Sequence, residues 1–124
     1  MVKPMYSNAK RTDTFAFRTK VNKKILEKFK SCLAYKGYPA NVILELFMEQ
    51  YSLGKLALNE EDILNLENGN YEVGELSTTF SKETYLNFKD VCQSKNVYVK
   101  YVLAAFMNNY ANGDYVLRYN KTGD

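Results

Sequence analysis

Residues 14–21 read Thr-Phe-Ala-Phe-Arg-Thr-Lys-Val, a segment in which apolar and polar side chains alternate. Because successive side chains of a strand point to opposite faces, this period of two predicts a short amphipathic β-strand. One predicted face carries Phe15, Phe17, Thr19 and Val21, and the other carries Ala16, Arg18 and Lys20. A lone strand has two unpaired edges, so the chain must supply a partner for it.

Two helices are predicted directly after this strand. Asn22 is suited to cap the first helix, and Gly37 fits the left-handed position that ends it. Pro39 fits the first position of the second helix, which runs to about Ser52 and ends before Gly54. The second helix is apolar nearly all round, so it must be buried on several sides.

The strand and both helices occur a second time in the chain. A shift of 59 residues without a gap aligns residues 17–54 with residues 76–113, and ten of the 38 aligned positions are identical. Gly37 corresponds to Asn96, which also tolerates left-handed geometry. One unit alone cannot bury its second helix or cover the edges of its strand, whereas two units together do both. We therefore expect the two strands to pair antiparallel as a ribbon above four interlocked helices.

The predicted fold class is a single domain that is mostly α with a two-stranded antiparallel β-ribbon. Its predicted segments are a flexible basic arm (1–13), a first strand-helix-helix unit (14–54), an acidic linker with a short helix near 60–66 (55–73), a second unit (74–113) and a C-terminal tail (114–124).

The charge is unevenly distributed along the chain. The net charge of +3 is the total of +8 over residues 1–36, −7 over residues 37–76 and +2 over residues 77–124. Such asymmetry indicates a surface that faces a polyanion. A solvated, lysine-rich helix face explains the charge alone equally well.

The composition disfavours several classes of function. The chain has no histidine, which removes the commonest general base and most transition-metal sites. No paired carboxylates, nucleophile with a base, or phosphate-binding loop stand out, so we expect no catalytic residue, no metal and no cofactor. No segment has the roughly 18 to 20 apolar residues of a membrane span, and the two cysteines favour the reducing cytoplasm.

The cysteines and many of the tyrosines are predicted to pack in the core. Cys32 and Cys92 fall on apolar helix faces, which favours packing over redox chemistry. Four tyrosines at apolar helix positions favour core roles over stacking on nucleic-acid bases. They are Tyr51, Tyr85, Tyr101 and Tyr110.

Three short segments carry a resemblance to a known family. They are Phe17-Arg18-Thr19-Lys20-Val21-Asn22, then Ile25-Leu26-Glu27-Lys28-Phe29, then Gly37-Tyr38-Pro39 with a helix that ends in Tyr51. This order and spacing resemble the ribbon-helix-helix family of DNA-binding proteins, of the plasmid copy-control, methionine-repressor and phage Arc types. The resemblance covers residues 14–54 and 73–113. Since the unit is normally one subunit of a homodimer, the resemblance implies a double ribbon-helix-helix, an intramolecular pseudo-dimer.

The resemblance also implies a function. It implies sequence-specific binding of double-stranded DNA through a β-ribbon in the major groove, by a nucleoid- or plasmid-associated transcriptional repressor of plasmid or phage type. One alternative is an accessory DNA-binding protein of a plasmid relaxosome or partition complex. Another is an antitoxin or protein-interaction module, for which the tail of about eleven residues is short. Whether chains lie side by side on DNA, or exchange units between chains, stays open.

The polar face of the ribbon supplies the candidate base contacts. Arg18 is the best candidate for a bidentate contact to guanine and Lys20 is the next, although both would also keep an exposed strand soluble. The full set is Thr14, Ala16, Arg18, Lys20, Glu75, Ser77 and Thr79. Because the two strands differ, we expect a non-palindromic site with a guanine-rich half beneath Arg18 and Lys20.

Candidate phosphate contacts lie at the starts of the second helices and in the basic arm. A helix N-terminus offers free N–H groups and a positive dipole end, although these are equally well ordinary solvated helix starts. Pro39 and Tyr98 stand where the family often has a polar cap, which weakens the contact expected there. The candidates are Ala40, Asn41, Val99, Lys100, Lys10 and Arg11.

Overall fold

The computed structural model describes residues 13–114. Its elements, in chain order, are β1 (Thr14–Asn22), α1 (Lys23–Lys36), α2 (Ala40–Ser52), α3 (Glu60–Asn68), β2 (Val73–Ser81), α4 (Lys82–Ser94) and α5 (Val99–Ala111). The described chain is a small, mostly helical domain with one two-stranded antiparallel sheet. The expected fold class is confirmed at this level.

The two strands pair along their whole length. The register runs from Thr14 opposite Ser81 to Asn22 opposite Val73. The predicted alternation is confirmed, because the side chains on one face are buried or half-buried and those in the middle of the other face are exposed. The buried face is formed by Phe17, Val21, Leu76 and Phe80.

The first helix of each unit begins and ends as the sequence predicts. The Asn22 side chain accepts a hydrogen bond from the Ile25 N–H at 3.1 Å, and Gly37 ends α1 with φ 73°. In the second unit, Ser81 caps α4 by accepting from the Thr84 N–H at 3.5 Å. Asn96 ends the turn after α4 with φ 61°, in the same left-handed region as Gly37.

The second helix of each unit lies in the core. The sequence predicted Pro39 at the first helical position, and this prediction is wrong by one residue. Pro39 is the N-cap that precedes the helix, with ψ 136°. Its carbonyl accepts the first helical hydrogen bond, from the Ile43 N–H at 3.2 Å. The nearly all-round apolar character is explained by burial, which is complete for Ile43 and Leu44 in α2 and for Leu103 in α5.

The linker between the two units contains a helix and lies on the second unit. The short helix expected near 60–66 is α3, and it extends to Asn68. The Asn59 side chain caps it by accepting from the Glu61 N–H at 2.8 Å. Helix α3 packs against α5 and buries Ile63.

Contacts between the first and second halves of the chain occur in pairs that the shift of 59 residues relates. The Lys23 N–H donates to the Glu72 carbonyl at 2.9 Å, and the Lys82 N–H donates to the Asp13 carbonyl at 2.9 Å. Helix α1 packs against α5, and α2 packs against α4. Helices from both units therefore contribute to one hydrophobic core.

Aromatic side chains at equivalent positions meet in the centre of this core. Phe47 and Phe106 stack with ring centroids 4.2 Å apart and planes at 15°. Phe29 lies 5.8 Å from Tyr110, and their equivalents, Phe88 and Tyr51, are 5.7 Å apart. Within residues 13–114 no helix has the length and apolar character needed to cross a membrane.

Candidate nucleic-acid interface

The ribbon presents one face to solvent, and this face carries nearly all the base-contact candidates. Six side chains are exposed there, namely Ala16, Arg18 and Lys20 from β1 and Glu75, Ser77 and Thr79 from β2. Thr14, the seventh candidate, is half-buried opposite the buried Ser81, at the end of the ladder. The exposed face is thus a continuous polar strip two strands wide.

The register decides which of these side chains are neighbours. Arg18 lies directly opposite Ser77, its own equivalent under the shift of 59 residues. Lys20 lies opposite Glu75, and we call this pair the charged end of the ribbon. Ala16 lies opposite Thr79, and this pair is the neutral end.

An ion pair joins the middle of the strip to its charged end. The Arg18 Nε atom lies 3.7 Å from the Glu75 Oε2 atom, and the two side chains are 75% and 53% exposed. An ion pair as exposed as this contributes little to stability, so Arg18 can exchange Glu75 for another acceptor at small cost.

Aromatic packing supports the strip from below. Phe17 packs on Phe80 across the two strands, with ring centroids 5.2 Å apart. Tyr85 of α4 packs against Phe15 at 5.0 Å and against Phe17 at 5.3 Å. The exposed side chains therefore project from a ribbon that is packed firmly onto the helices.

A buried carboxylate holds one corner of the ribbon, and the sequence analysis missed it. Glu45 is 7% exposed, and its Oε2 atom accepts a hydrogen bond from the Ser81 N–H at 2.6 Å. The available signal was an acid flanked by Leu44 and Leu46 in the apolar second helix, at the position where the second unit has Ala104. This bond ties α2 to the junction between β2 and α4.

The phosphate candidates at the second helices differ in exposure. Ala40, Asn41 and Val99 are half-buried, and Lys100 is exposed. Neither α2 nor α5 has a side-chain cap, since Pro39 and Tyr98 make no capping hydrogen bond. The first N–H groups of both helices are therefore not occupied by a capping side chain. Lys10 and Arg11 lie outside the described residues.

The cysteines and tyrosines take core positions, as predicted. Cys92 is fully buried and Cys32 is half-buried, and burial raises the pKa of the Cys92 thiol to about 12. Tyr51 and Tyr110 are buried, and burial raises the pKa of Tyr110 to about 12. Tyr85 and Tyr101 are half-buried. Neither buried tyrosine ring is available to stack on a base.

The ribbon and the starts of α2 and α5 hold all the candidate contacts that lie within residues 13–114. In the described part of the chain, no group of three or more cysteine or acidic side chains is placed to hold a metal ion. No family model, curated protein or solved structure matches the chain.

Proposed function

We propose that this protein binds double-stranded DNA in a sequence-specific way, with the β1–β2 ribbon in the major groove. The observation that carries the proposal is the exposed strip, in which Arg18 and Lys20 project from a ribbon whose opposite face packs on the core. The major groove of B-DNA, about 12 Å wide, admits a two-stranded ribbon. The strip offers donors and acceptors in a pattern that base edges can match.

The proposal includes a fused pseudo-dimer, in which each unit plays the part of one subunit. The paired contacts support it, since α1 packs on α5 as α2 packs on α4. The register supports it as well, because Arg18 pairs with its own repeat equivalent, Ser77, at the centre of the ribbon. One chain then provides a complete ribbon and binds one site without a second copy.

Phosphate contacts position the ribbon in this proposal. The uncapped starts of α2 and α5 offer N–H groups to the DNA backbone, with Asn41 and Lys100 beside them. The basic arm adds Lys10 and Arg11 through charge alone.

In the cell, the resemblance to ribbon-helix-helix proteins favours a cytoplasmic, nucleoid- or plasmid-associated transcriptional repressor. An accessory factor of a plasmid relaxosome or partition complex would use the same chemistry. A promoter-reporter assay separates the two roles, because only the repressor silences a promoter that carries the selected site.

The test is the double variant Arg18→Ala/Lys20→Ala. Wild-type protein is used to select duplexes from a random pool, and binding of the selected duplex is measured by mobility shift. We expect the double variant to lose specific binding, because each good bidentate base contact provides about 1–3 kcal/mol of discrimination. Its thermal unfolding should stay close to wild type, since both side chains are exposed.

A matched control removes the same charge elsewhere. Lys30→Ala/Lys55→Ala also deletes two exposed cations, outside the ribbon. This control should bind the selected duplex with nearly wild-type preference. Equal loss of binding in both double variants would mean that net charge, and not the strip, carries the affinity.

A further inference from the structure

We infer that the two ends of the ribbon read different bases: the charged end reads one G·C pair through Lys20 and Glu75 together, and the neutral end reads thymine methyl groups through Ala16 and Thr79. This inference rests on the proposed function and names the DNA chemistry that the strip selects. Its starting point is the register, which places Lys20 opposite Glu75 and Ala16 opposite Thr79.

The antiparallel register groups the exposed side chains of the strip in a different way from their grouping by strand. Taken strand by strand, the sequence assigns Arg18 and Lys20 to one half of the site and Glu75 to the other. Antiparallel pairing instead brings Glu75 beside Lys20, at the same end. Each half of the site is therefore read by side chains from both strands.

The charged end is chemically complementary to a G·C pair. Directly opposite residues of an antiparallel ladder have Cβ atoms about 4.5–5.5 Å apart, so Lys20 and Glu75 reach neighbouring atoms of one base-pair edge. An ammonium only donates and a carboxylate only accepts. Guanine offers the acceptors O6 and N7, and its cytosine offers an N4 donor.

The same pair discriminates against A·T. The adenine amino group would face the donor Lys20, and the thymine O4 would face the acceptor Glu75. The thymine O4 leaves Glu75 without a donor, and adenine leaves Lys20 one acceptor, N7, in place of the two that guanine offers. The Arg18 Nε atom lies 3.7 Å from the Glu75 carboxylate, and this nearby cation offsets part of the repulsion between Glu75 and phosphate.

The neutral end has a different chemistry. Ala16 and Thr79 are both exposed and offer methyl groups and one hydroxyl, with no charge. Alanine and the threonine methyl are the side chains that make apolar contact with the C5-methyl group of thymine. Lys20 and Ala16 are four residues apart, which is about 14 Å along a strand at about 3.4 Å per residue. The two readouts are therefore about four base pairs apart, at about 3.4 Å per base pair.

The first experiment maps the charged end. Fluorescence anisotropy measures the affinity of wild type, Lys20→Ala and Glu75→Ala for the selected duplex and for duplexes with one base pair replaced. We expect both variants to lose at least about fivefold discrimination, and at the same G·C pair. The double variant should lose little more than the worse single variant. Loss of discrimination at base pairs in opposite halves of the site would overturn the inference.

The second experiment tests the neutral end by removing single methyl groups. Replacing thymine by deoxyuridine deletes only the C5-methyl group from the DNA. At a thymine about four base pairs from the G·C pair, we expect this replacement to weaken wild-type binding about fourfold, which corresponds to the free energy of burying one methyl-sized group. Thr79→Ser, which keeps the hydroxyl and removes the methyl group, should respond less to the same replacement. Equal responses of wild type and Thr79→Ser would overturn the assignment.

The two experiments separate this inference from the proposed function. If no duplex from the random pool is retained by wild-type protein, the proposed function fails and the inference falls with it. If a duplex is bound with base preference but both ends give the overturning results above, DNA binding stands and the assignment of the ends is wrong. Lys30→Ala, on the outer face of α1, should change neither base preference.

Discussion

At the scale of single residues, Glu45 gives the sharpest prediction about stability. It is the only charged side chain buried within residues 13–114, and its carboxylate accepts the Ser81 N–H at 2.6 Å. Glu45→Ala leaves that N–H without its partner, so we expect the free energy of unfolding to fall by about 1–3 kcal/mol. Urea denaturation followed by circular dichroism measures the change.

A surface glutamate provides the control for this prediction. Glu27→Ala removes the same charge from the exposed face of α1 and should change the free energy of unfolding by less than about 0.5 kcal/mol. Equal effects of the two substitutions would show that the hydrogen bond to Ser81 contributes nothing beyond the charge.

The residues that sequence analysis placed correctly are those with a local signal. The period of two in 14–21 fixes which side chains are exposed, and the capping preferences of Asn22 and Gly37 fix the ends of α1. Glu45 was missed because its partner is 36 residues away in the chain, and no local pattern records that distance.

At the scale of elements, the strands and helices could be predicted from the sequence, whereas the residue pairs that lie opposite each other across the ribbon could not. The alternation of buried residues restricts the register to slips of an even number of residues, because an odd slip would turn the apolar face outward. Which even register forms depends on how the helices below interlock. Thus Lys20 and Glu75 were both predicted as candidate base contacts, but only the pairing shows that they lie opposite each other.

At the scale of the whole molecule, the two units share one core, so we expect them to unfold together. Phe106 stacks on Phe47 at the centre, where the two units meet. Phe106→Ala removes this contact, and we expect the free energy of unfolding to fall by about 3–5 kcal/mol. Urea transitions followed by circular dichroism and by tyrosine fluorescence should coincide for both wild type and variant.

The matched control for the shared core is Tyr35→Ala, because Tyr35 is 93% exposed on α1. This substitution should leave the transition nearly unchanged. A second transition in the Phe106 variant, with half of the helical signal retained, would contradict a common core and indicate units that fold independently.

The charge of the whole molecule leads to a prediction about salt. The net charge of +8 over residues 1–36 includes Lys10 and Arg11. These residues precede β1, which begins at the neutral end of the ribbon, where the Asp13 carbonyl accepts a hydrogen bond from the Lys82 N–H. If these cations contact phosphates only, Lys10→Ala/Arg11→Ala makes the plot of log affinity against log salt shallower by about 1.8, at about 0.9 per phosphate neutralised. The base preference should not change, because phosphate contacts carry no sequence information. Lys30→Ala/Lys55→Ala removes the same charge from exposed positions of the described chain and should leave the slope as it is. A changed base preference in the Lys10/Arg11 variant would instead mean that the arm reads bases itself.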